Sequence, residues 1–385
     1  DGKLPVSIKA VPEGTVVGTK NVLFVIESLD ENCAWLTNFL ESILLQVWYP
    51  ITVATLSREV RKIVRKSFED CTSYDEATID FLVDFVLNDF GFRGVSSVES
   101  AKIGGSAHLV NFKGSDTVIA SKFVRDNYNT DTIYGLSIPA TEHSIMTLKG
   151  EEGEIDLMRK VLMTYPTGLV ACVSDSFNIF KACSDKWGTE LRDLILSRPA
   201  APGNQLVIRP DSGHVLRTLK EIFNILFDKF GYTVNEKGYK VLPPQVRVIQ
   251  GDGVNYNSLV EIIDHILANG YSIDNVAFGS GGGLLQSHNR DTYRIAQKCS
   301  YVEFDNVSYG VRKMPKTDPT KASKAGKLKL IKEDGVYKTV EDSKTSNVND
   351  NELKVVYFYN KKYGMVEPAF NQLTFEQVRK NTGLW

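Results

Sequence analysis

Residues 205–216 read QLVIRPDSGHVL, in which Leu206, Val207 and Ile208 run directly into Arg209, Pro210, Asp211, Ser212 and Gly213. Taken alone, the stretch is a buried strand stopped by Pro210, followed by a helix near Val215 that Asp211 or Ser212 caps. The same grammar recurs, and the recurrence decides the fold. GLVACVSDSF (168–177) ends in Ser174, Asp175 and Ser176 ahead of the helix-prone NIFKACSDKWG. QVRVIQGDGV (245–254) ends in Gly251, Asp252 and Gly253. NSLVEIIDHILANG follows it, with apolar residues at helix spacing and a closing glycine. NVAFGSGGGLLQ (275–286) turns glycine-rich before another helical stretch, and DFGFRGV (89–95), AHLVNFKGSD (107–116) and YGLSIPATEH (134–143) match the pattern upstream.

Strand–loop units spaced about 25–40 residues apart have the rhythm of parallel βα units. The expectation is an α/β fold: a β/α barrel over 76–289, with 1–75 and 290–385 forming a smaller, discontinuous β-rich companion domain. In a barrel the loops after the strands share one end, where active sites are built. In the rival arrangement, a doubly wound open sheet, they would line a crevice. Residues 1–25 read as short strands with turns. LKLIKEDGVYKTV (328–340) predicts a hairpin at Asp334-Gly335, and LKVVYFYNKKYGMVE (353–367) one near Lys361–Gly364. The lysine-rich RKMPKTDPTKASKAGKLK (312–329) reads as a solvated loop, with a phosphate-facing loop as the alternative.

Bulk properties narrow the class. The 385 residues are 42% hydrophobic and 24% charged, which suits a globular chain with a real core. A net charge of −2 argues against a general nucleic-acid binder. The five cysteines are odd in number, widely spaced and free of CxxC, which points to a reducing cytoplasm without a disulfide framework or zinc site. FLESILLQVWYPITVATL (39–56) is broken by Glu41, Gln46 and Pro50, so a buried helix leading into a strand is expected rather than a membrane span. The chain opens on Asp1 with no leader-like run, so its N-terminus is expected to have been processed or truncated.

The loops after the expected strands carry Arg93, Asp116, His143, Asp175, Arg209, Asp211 and Asp252. Arginine at a strand end suits phosphate or pyrophosphate through its forked donors, or else an ion pair with a neighbouring aspartate. Asp175, Asp211 and Asp252 could cap helices, bind ribose hydroxyls or hold Mg2+ through water. Three carboxylates at one mouth would repel one another without a cation or sugar hydroxyls, which favours a sugar phosphate with Mg2+. GSGGG (279–283) would let backbone N–H groups approach a phosphate or would merely permit tight packing. It is not GxGxxG, and no GxxxxGK[ST] occurs. Of the five histidines only His143 sits squarely in such a loop. Neither a serine–histidine–aspartate signature nor HExxH is present.

SIKAVPEG (7–14), VWYPITVAT (47–55), DFGFRGVSS (89–97), AHLVNFKGSDTV (107–118), VSDSF (173–177), VIRPDSG (207–213), VIQGDGV (248–254) and AFGSGGGLLQ (277–286) resemble the nicotinamide phosphoribosyltransferases of the type II phosphoribosyltransferase family. The resemblance implies an α/β barrel, a β-rich companion domain and a homodimer with active sites at the interface. It implies transfer of phosphoribosyl from 5-phosphoribosyl 1-pyrophosphate to nicotinamide with Mg2+, and ATP hydrolysis coupled through a phosphohistidine at His143. By motif, Arg93, His143 and Arg209 match pyrophosphate contacts. Asp211, Gly251, Asp252, Gly282 and Arg290 match nucleotide contacts, Lys298 and Lys313 match basic positions near phosphates, and Asp175 and Gly281 are further substrate-binding candidates. His143, Asp211 and Arg209 form the expected catalytic set, and Asp175, Asp211 and Asp252 the metal candidates. Phe90 matches the ring that stacks on the pyridine, and Asp116 the carboxylate facing the carboxamide. A carboxylate there would accept from an amide N–H and repel nicotinate, at a cost of several kcal/mol in a buried site. The family's Thr-Asp-Ser-Tyr-Lys-like segment, whose tyrosine covers the other pyridine face, has no match in 1–385, so a fragment or a separately supplied segment is expected.

Overall fold

The Leu206–Arg209 strand pairs in parallel with Val170–Val173 on one side and Val246–Gln250 on the other. Val276–Ser280 and Leu87–Asp89 extend the sheet beyond Val246–Gln250, making five parallel strands. Most residues of these strands are apolar because both faces are covered, as parallel sheets require. Val170, Cys172, Leu206, Ile208, Val246, Val248, Val276 and Phe278 join the main core. The alternate residues Ala171, Val207 and Ile249 form a separate cluster, with Phe90, Ile138, Leu169 and Ala277 packed on it. Isolated parallel bridges also join Asp89 to Ser115, Gly114 to Leu136 and Ala140 to Ala171.

This computed structural model describes residues 2–342, 350–360, 364–365 and 373–385. They form two units: Pro50–Asn127 with Asp131–His288, and Asp1–Tyr49 with Tyr128–Thr130 and Asn289–Trp385. The first boundary therefore falls at 49/50 rather than at 75/76. The cause is one helix, Trp48–Cys71, whose Val60, Val64, Phe68 and Cys71 are buried in the core of the parallel-sheet unit. No strand follows the 39–56 stretch: Pro50 lies in the first turn of this helix, where its missing N–H costs nothing. Residues 107–112 also depart from expectation. AHL closes the helix Val98–Leu109, and only Gly114 and Ser115 form bridges.

The helix Val215–Phe230 buries Leu219, Ile222, Phe223, Leu226, Phe227 and Phe230 along one face. His214 stands at its N-cap without a side-chain bond, so neither Asp211 nor Ser212 caps it. Both are used elsewhere. By contrast Asn255 caps Tyr256–Ala268 in a reciprocal box with Ser258. After Val170–Val173 the chain forms a short helix and then a π-helix, Ala182–Glu190. Its buried Trp187 donates Nε1–H to Ser174 Oγ at 3.0 Å, beside Asp175.

The smaller unit holds a four-stranded antiparallel sheet ordered Gly364–Met365, Lys354–Asn360, Val6–Ala10, Phe24–Ser28. Leu328–Glu333 and Val336–Glu341 form the expected hairpin, with Asp334 and Gly335 at φ 48° and 79°. Positive φ at both central residues is the mirror-image turn that suits strand twist. Lys354–Asn360 pairs with Gly364–Met365, while Lys361–Tyr363 of the other expected turn lie outside the described residues. Most of the lysine-rich 312–327 segment is exposed. Trp35, Phe39, Ile43 and Val47 recur every fourth residue through successive helical turns and are 60%, 66%, 65% and 39% exposed. The helical run Glu31–Cys71 that contains them is long and apolar enough, by length and composition, to cross a membrane.

Candidate active site

The loops after Val170–Val173 and Leu206–Arg209 and the segment that follows the Ala140 bridge meet in one hydrogen-bonded chain. Arg209, at the end of its strand, donates from NH2 to Asp211 Oδ1 at 2.8 Å. Pro210 supplies no N–H, and the Asp211 N–H donates to Asp175 Oδ2 at 3.1 Å. Ser212 Oγ–H donates to the same oxygen. Asp175 Oδ1 faces His143 Nε2 at 2.9 Å. A carboxylate only accepts, so Nε2 carries the hydrogen and the exposed imidazole is held by that one bond. Gly251 completes the cluster: a Cβ there would stand 3.2 Å from Arg209 Nε and 3.3 Å from Asp211 Oδ1.

This arrangement changes the electrostatic argument made from the sequence. Asp175, with a side chain only 4% exposed, has donors on both oxygens, and Asp211 has a guanidinium. Protein groups therefore already offset the repulsion that was assigned to a cation or a sugar. Among the described residues no group of three or more His, Cys, Asp or Glu side chains is placed to hold a metal.

Phe90 lies beside this network, with the Arg209 guanidinium 5.4 Å from its ring centroid. Its place depends on Gly279, inside the next strand, where a Cβ would fall 1.9 Å from Phe90 Cε2. Asp116 follows the Gly114–Ser115 bridges and accepts from Ser137 Oγ–H. It is exposed, so the cost of a like charge beside it moves from the buried value toward the water-screened one. Arg93, in the short 3-10 turn Phe92–Gly94, and Asp252 are also exposed. Gly281 precedes a single helical turn, Gly282–Leu285, too short for a sizeable dipole. At Gly282 an added Cβ would meet nothing within 4 Å.

Three expected site residues belong to the smaller unit. There Arg290 pairs with Asp291 at 2.9 Å, Lys298 with Glu41 at 3.2 Å, and the exposed Lys313 bonds through its backbone to Ser323. Sequence reasoning missed Ser137, Ser212 and Gly279. A glycine inside a strand marks a close approach, so Gly279 had a readable signal. The two serines had none, because their partners lie 21 and 37 residues away.

Two buried titratable groups underlie the Phe90–Asp116 region. His108 Nε2–H donates to Gly114 O at 3.2 Å, Nδ1 accepts from Ser57, and burial pushes the imidazole down to about 4. Burial pushes the Asp89 carboxyl up to about 6, opposed chiefly by its bond from Gly91 N–H. The signs are opposite. The unfolded histidine protonates first, so its share of stability is lost as pH falls from about 6.5 to about 4. Charged Asp89 costs stability above about pH 6 and is relieved as pH falls toward the unfolded value near about 4. Asp89→Asn is therefore expected to be more stable than wild type at pH 7.5 by about 2 kcal/mol, with the gap closing by about pH 4. Urea midpoints at three pH values measure this, and a gap that does not narrow counts against it.

Residues 85–360 match the model of the nicotinate phosphoribosyltransferase (NAPRTase) family. The chain is 45% identical over 383 residues to the nicotinamide phosphoribosyltransferase of Xanthomonas campestris pv. campestris, covering 98% of this chain and 79% of that protein. It is 30% identical over 376 residues to the nicotinamide phosphoribosyltransferase of Acinetobacter baylyi, covering 92% and 73%. The structure of human nicotinic acid phosphoribosyltransferase aligns with a TM-score of 0.44 at 14% identity, covering 99% of this chain and 76% of that one. With a family match across most of its length and two curated relatives aligned over nearly all of this chain and about three quarters of their own length, this chain belongs to the nicotinate phosphoribosyltransferase family.

Proposed function

We propose that the chain is a pentosyltransferase of NAD salvage, moving phosphoribosyl from 5-phosphoribosyl 1-pyrophosphate to nicotinamide. The observation that carries this is the Arg209–Asp211–Asp175–His143 network with Phe90 beside Arg209, in a chain 45% identical to a protein of that name. The pyridine nitrogen's lone pair forms the bond to ribose C1 as the C1–O bond breaks. Pyrophosphate leaves with that electron pair, and the positive charge ends on the pyridinium. A leaving group that gains negative charge calls for fixed cations, supplied in this reading by Arg209 and Arg93, with His143 as a further pyrophosphate contact. Asp211 and Asp252 accept from ribose hydroxyls, and Gly251, Gly281 and Gly282 leave room for phosphate. Phe90 stacks the pyridine, and Asp116 accepts the carboxamide N–H, which favours nicotinamide over nicotinate.

The donor set fits a Mg2+ that arrives on the pyrophosphate and keeps most of its waters better than a resident metal centre. Asp211 Oδ2 and Asp252 are the candidates to meet it, whereas both Asp175 oxygens are engaged. Such an ion would neutralise leaving-group charge. ATP coupling fits His143: with Nε2 held by Asp175, Nδ1 is the nitrogen whose lone pair would take the γ-phosphoryl group as ADP leaves.

A closed β/α barrel is the fold we infer around this site. Supporting it are the parallel bridges beyond both sheet edges and the inner Ala171–Val207–Ile249 cluster shared with Phe90 and Ile138. The exposed stripe from Trp35 to Val47 supports a homodimer, and exposed Phe92, Val118, Leu136, Ile145 and Leu148 near the strand-end loops support active sites at its interface. Five unpaired cysteines, three of them buried, suit a reducing cytoplasm.

The test is product formation by this chain with Mg2+ and 5-phosphoribosyl 1-pyrophosphate, offered nicotinamide or nicotinate, with and without γ-labelled ATP. Nicotinamide mononucleotide is expected, faster with ATP, with label on His143 in wild type and none in His143→Asn. Nicotinic acid mononucleotide as the main product would overturn the Asp116 reading, and absence of label would remove the ATP step.

A further inference from the structure

Asp89 ends the Leu87–Asp89 strand and is completely buried. Its main chain holds one neighbour and its side chain another. The Asp89 N–H donates to Gly114 O at 3.1 Å, and its carbonyl accepts the Asp116 N–H at 2.9 Å. Those two bonds pin the loop that presents Asp116. Asp89 Oδ1 accepts the Gly91 N–H at 2.7 Å, closing the turn that carries Phe90, whose own N–H is tied to Ser280 O at 2.9 Å. Gly105 makes room on the far side: a Cβ there would stand 3.1 Å from Asp89 Oδ2.

The one hydrogen bond to this carboxyl comes from a neutral group, the Gly91 N–H, and Oδ2 is buried with no partner among the described residues. A buried charge held only by neutral groups is costly, and an asparagine would satisfy the same Gly91 N–H without that cost. Shape alone therefore does not require a carboxylate here, whereas its charge acts directly on Asp116. Asp116 is exposed and screened by water, and a buried carboxylate behind it is screened far less.

We propose that Asp89 is the positioning residue for pyridine selectivity: it locks Phe90 and Asp116 into one clamp and sets behind Asp116 a second negative charge that a pyridine carboxylate must face. The proposal rests on the reading of Phe90 and Asp116 as the pyridine contacts. It is tested by kcat and KM for nicotinamide, nicotinate and 5-phosphoribosyl 1-pyrophosphate in wild type, Asp89→Asn, Asp116→Asn and the double variant, with melting curves for each. Asp89→Asn is expected to lower the nicotinamide-to-nicotinate ratio of kcat/KM by about tenfold while leaving KM for 5-phosphoribosyl 1-pyrophosphate unchanged. Asp116→Asn is expected to keep part of the amide preference, and the double variant to lose it.

An equal fall for both pyridines in Asp89→Asn is what a merely structural role gives, and it would overturn the proposal. Should Asp89→Asn fail to fold, Asp116→Asn decides alone: no remaining amide preference would overturn it. Wild type that makes no nicotinamide mononucleotide would instead take down the underlying reading, and the proposal with it. A wild type with amide preference and an unchanged ratio in Asp89→Asn takes down the proposal only.

Discussion

Asp211→Ala is expected to lower kcat/KM for nucleotide formation by about a thousandfold and to shift the melting midpoint by only about 3 °C. The two effects separate because Asp211 does two jobs with different atoms. Its N–H holds Asp175 Oδ2, and that bond survives truncation of the side chain, so the Asp175–His143 pair stays in place. Its carboxylate fixes Arg209, and that contact disappears. The guanidinium, no longer steered, is free to leave the position where it meets charge growing on pyrophosphate. A site acting on a transition state loses most from such a change, since the donors must be in place before the charge develops. Initial rates and a melting curve decide the matter. Activity within about threefold of wild type would remove Asp211 from the reaction.

Gly279→Ala is expected to cut kcat/KM for nicotinamide by about a hundredfold, with about 1–3 kcal/mol lost from stability. The added methyl group would overlap the Phe90 ring, so the ring must swing away or the strands must part. Either movement disturbs the face on which the pyridine is read to stack, and the neighbouring Arg209 with it. Gly282→Ala is the control: nothing stands within 4 Å of its Cβ position. Wild-type melting with lowered activity there would report approach of a ligand to the backbone, whereas full activity in Gly279→Ala would show that the ring's position does not matter.

What could be read in advance follows a physical line. The strands at 170, 206, 246 and 276 were legible because burial on both faces leaves mostly apolar runs, each followed within a few residues by Gly or Asp. WYPITVATL misled because its β-branched residues favour strands in general, while this helix uses Val53, Val60 and Val64 to fill a core. AHLVNF misled because short apolar runs do not distinguish a strand from the buried end of a helix. Arg209, Asp211, Asp175 and His143 were legible as chemistry, but their pairing was not. Asp175 is satisfied by a serine 37 positions away that local reasoning had assigned to capping a helix. Asp89 went unremarked because a single carboxylate at the end of a strand has no pattern of its own.

The sheet of the smaller unit has a consequence for synthesis. Val6–Ala10 lies between Phe24–Ser28 and Lys354–Asn360, and Leu4 N–H meets the Tyr357 hydroxyl across 353 positions of sequence. At ribosomal speeds of about 5–20 residues per second, the first hairpin waits about 20–70 s for the strand that covers its edge. Residues 50–288 emerge as nearly one continuous block meanwhile, and most of their contacts close within it. The nascent chain thus carries an open strand edge while its larger unit is already folding. That interval is when holding chaperones, or sticky neighbours on the same polysome, have their opportunity.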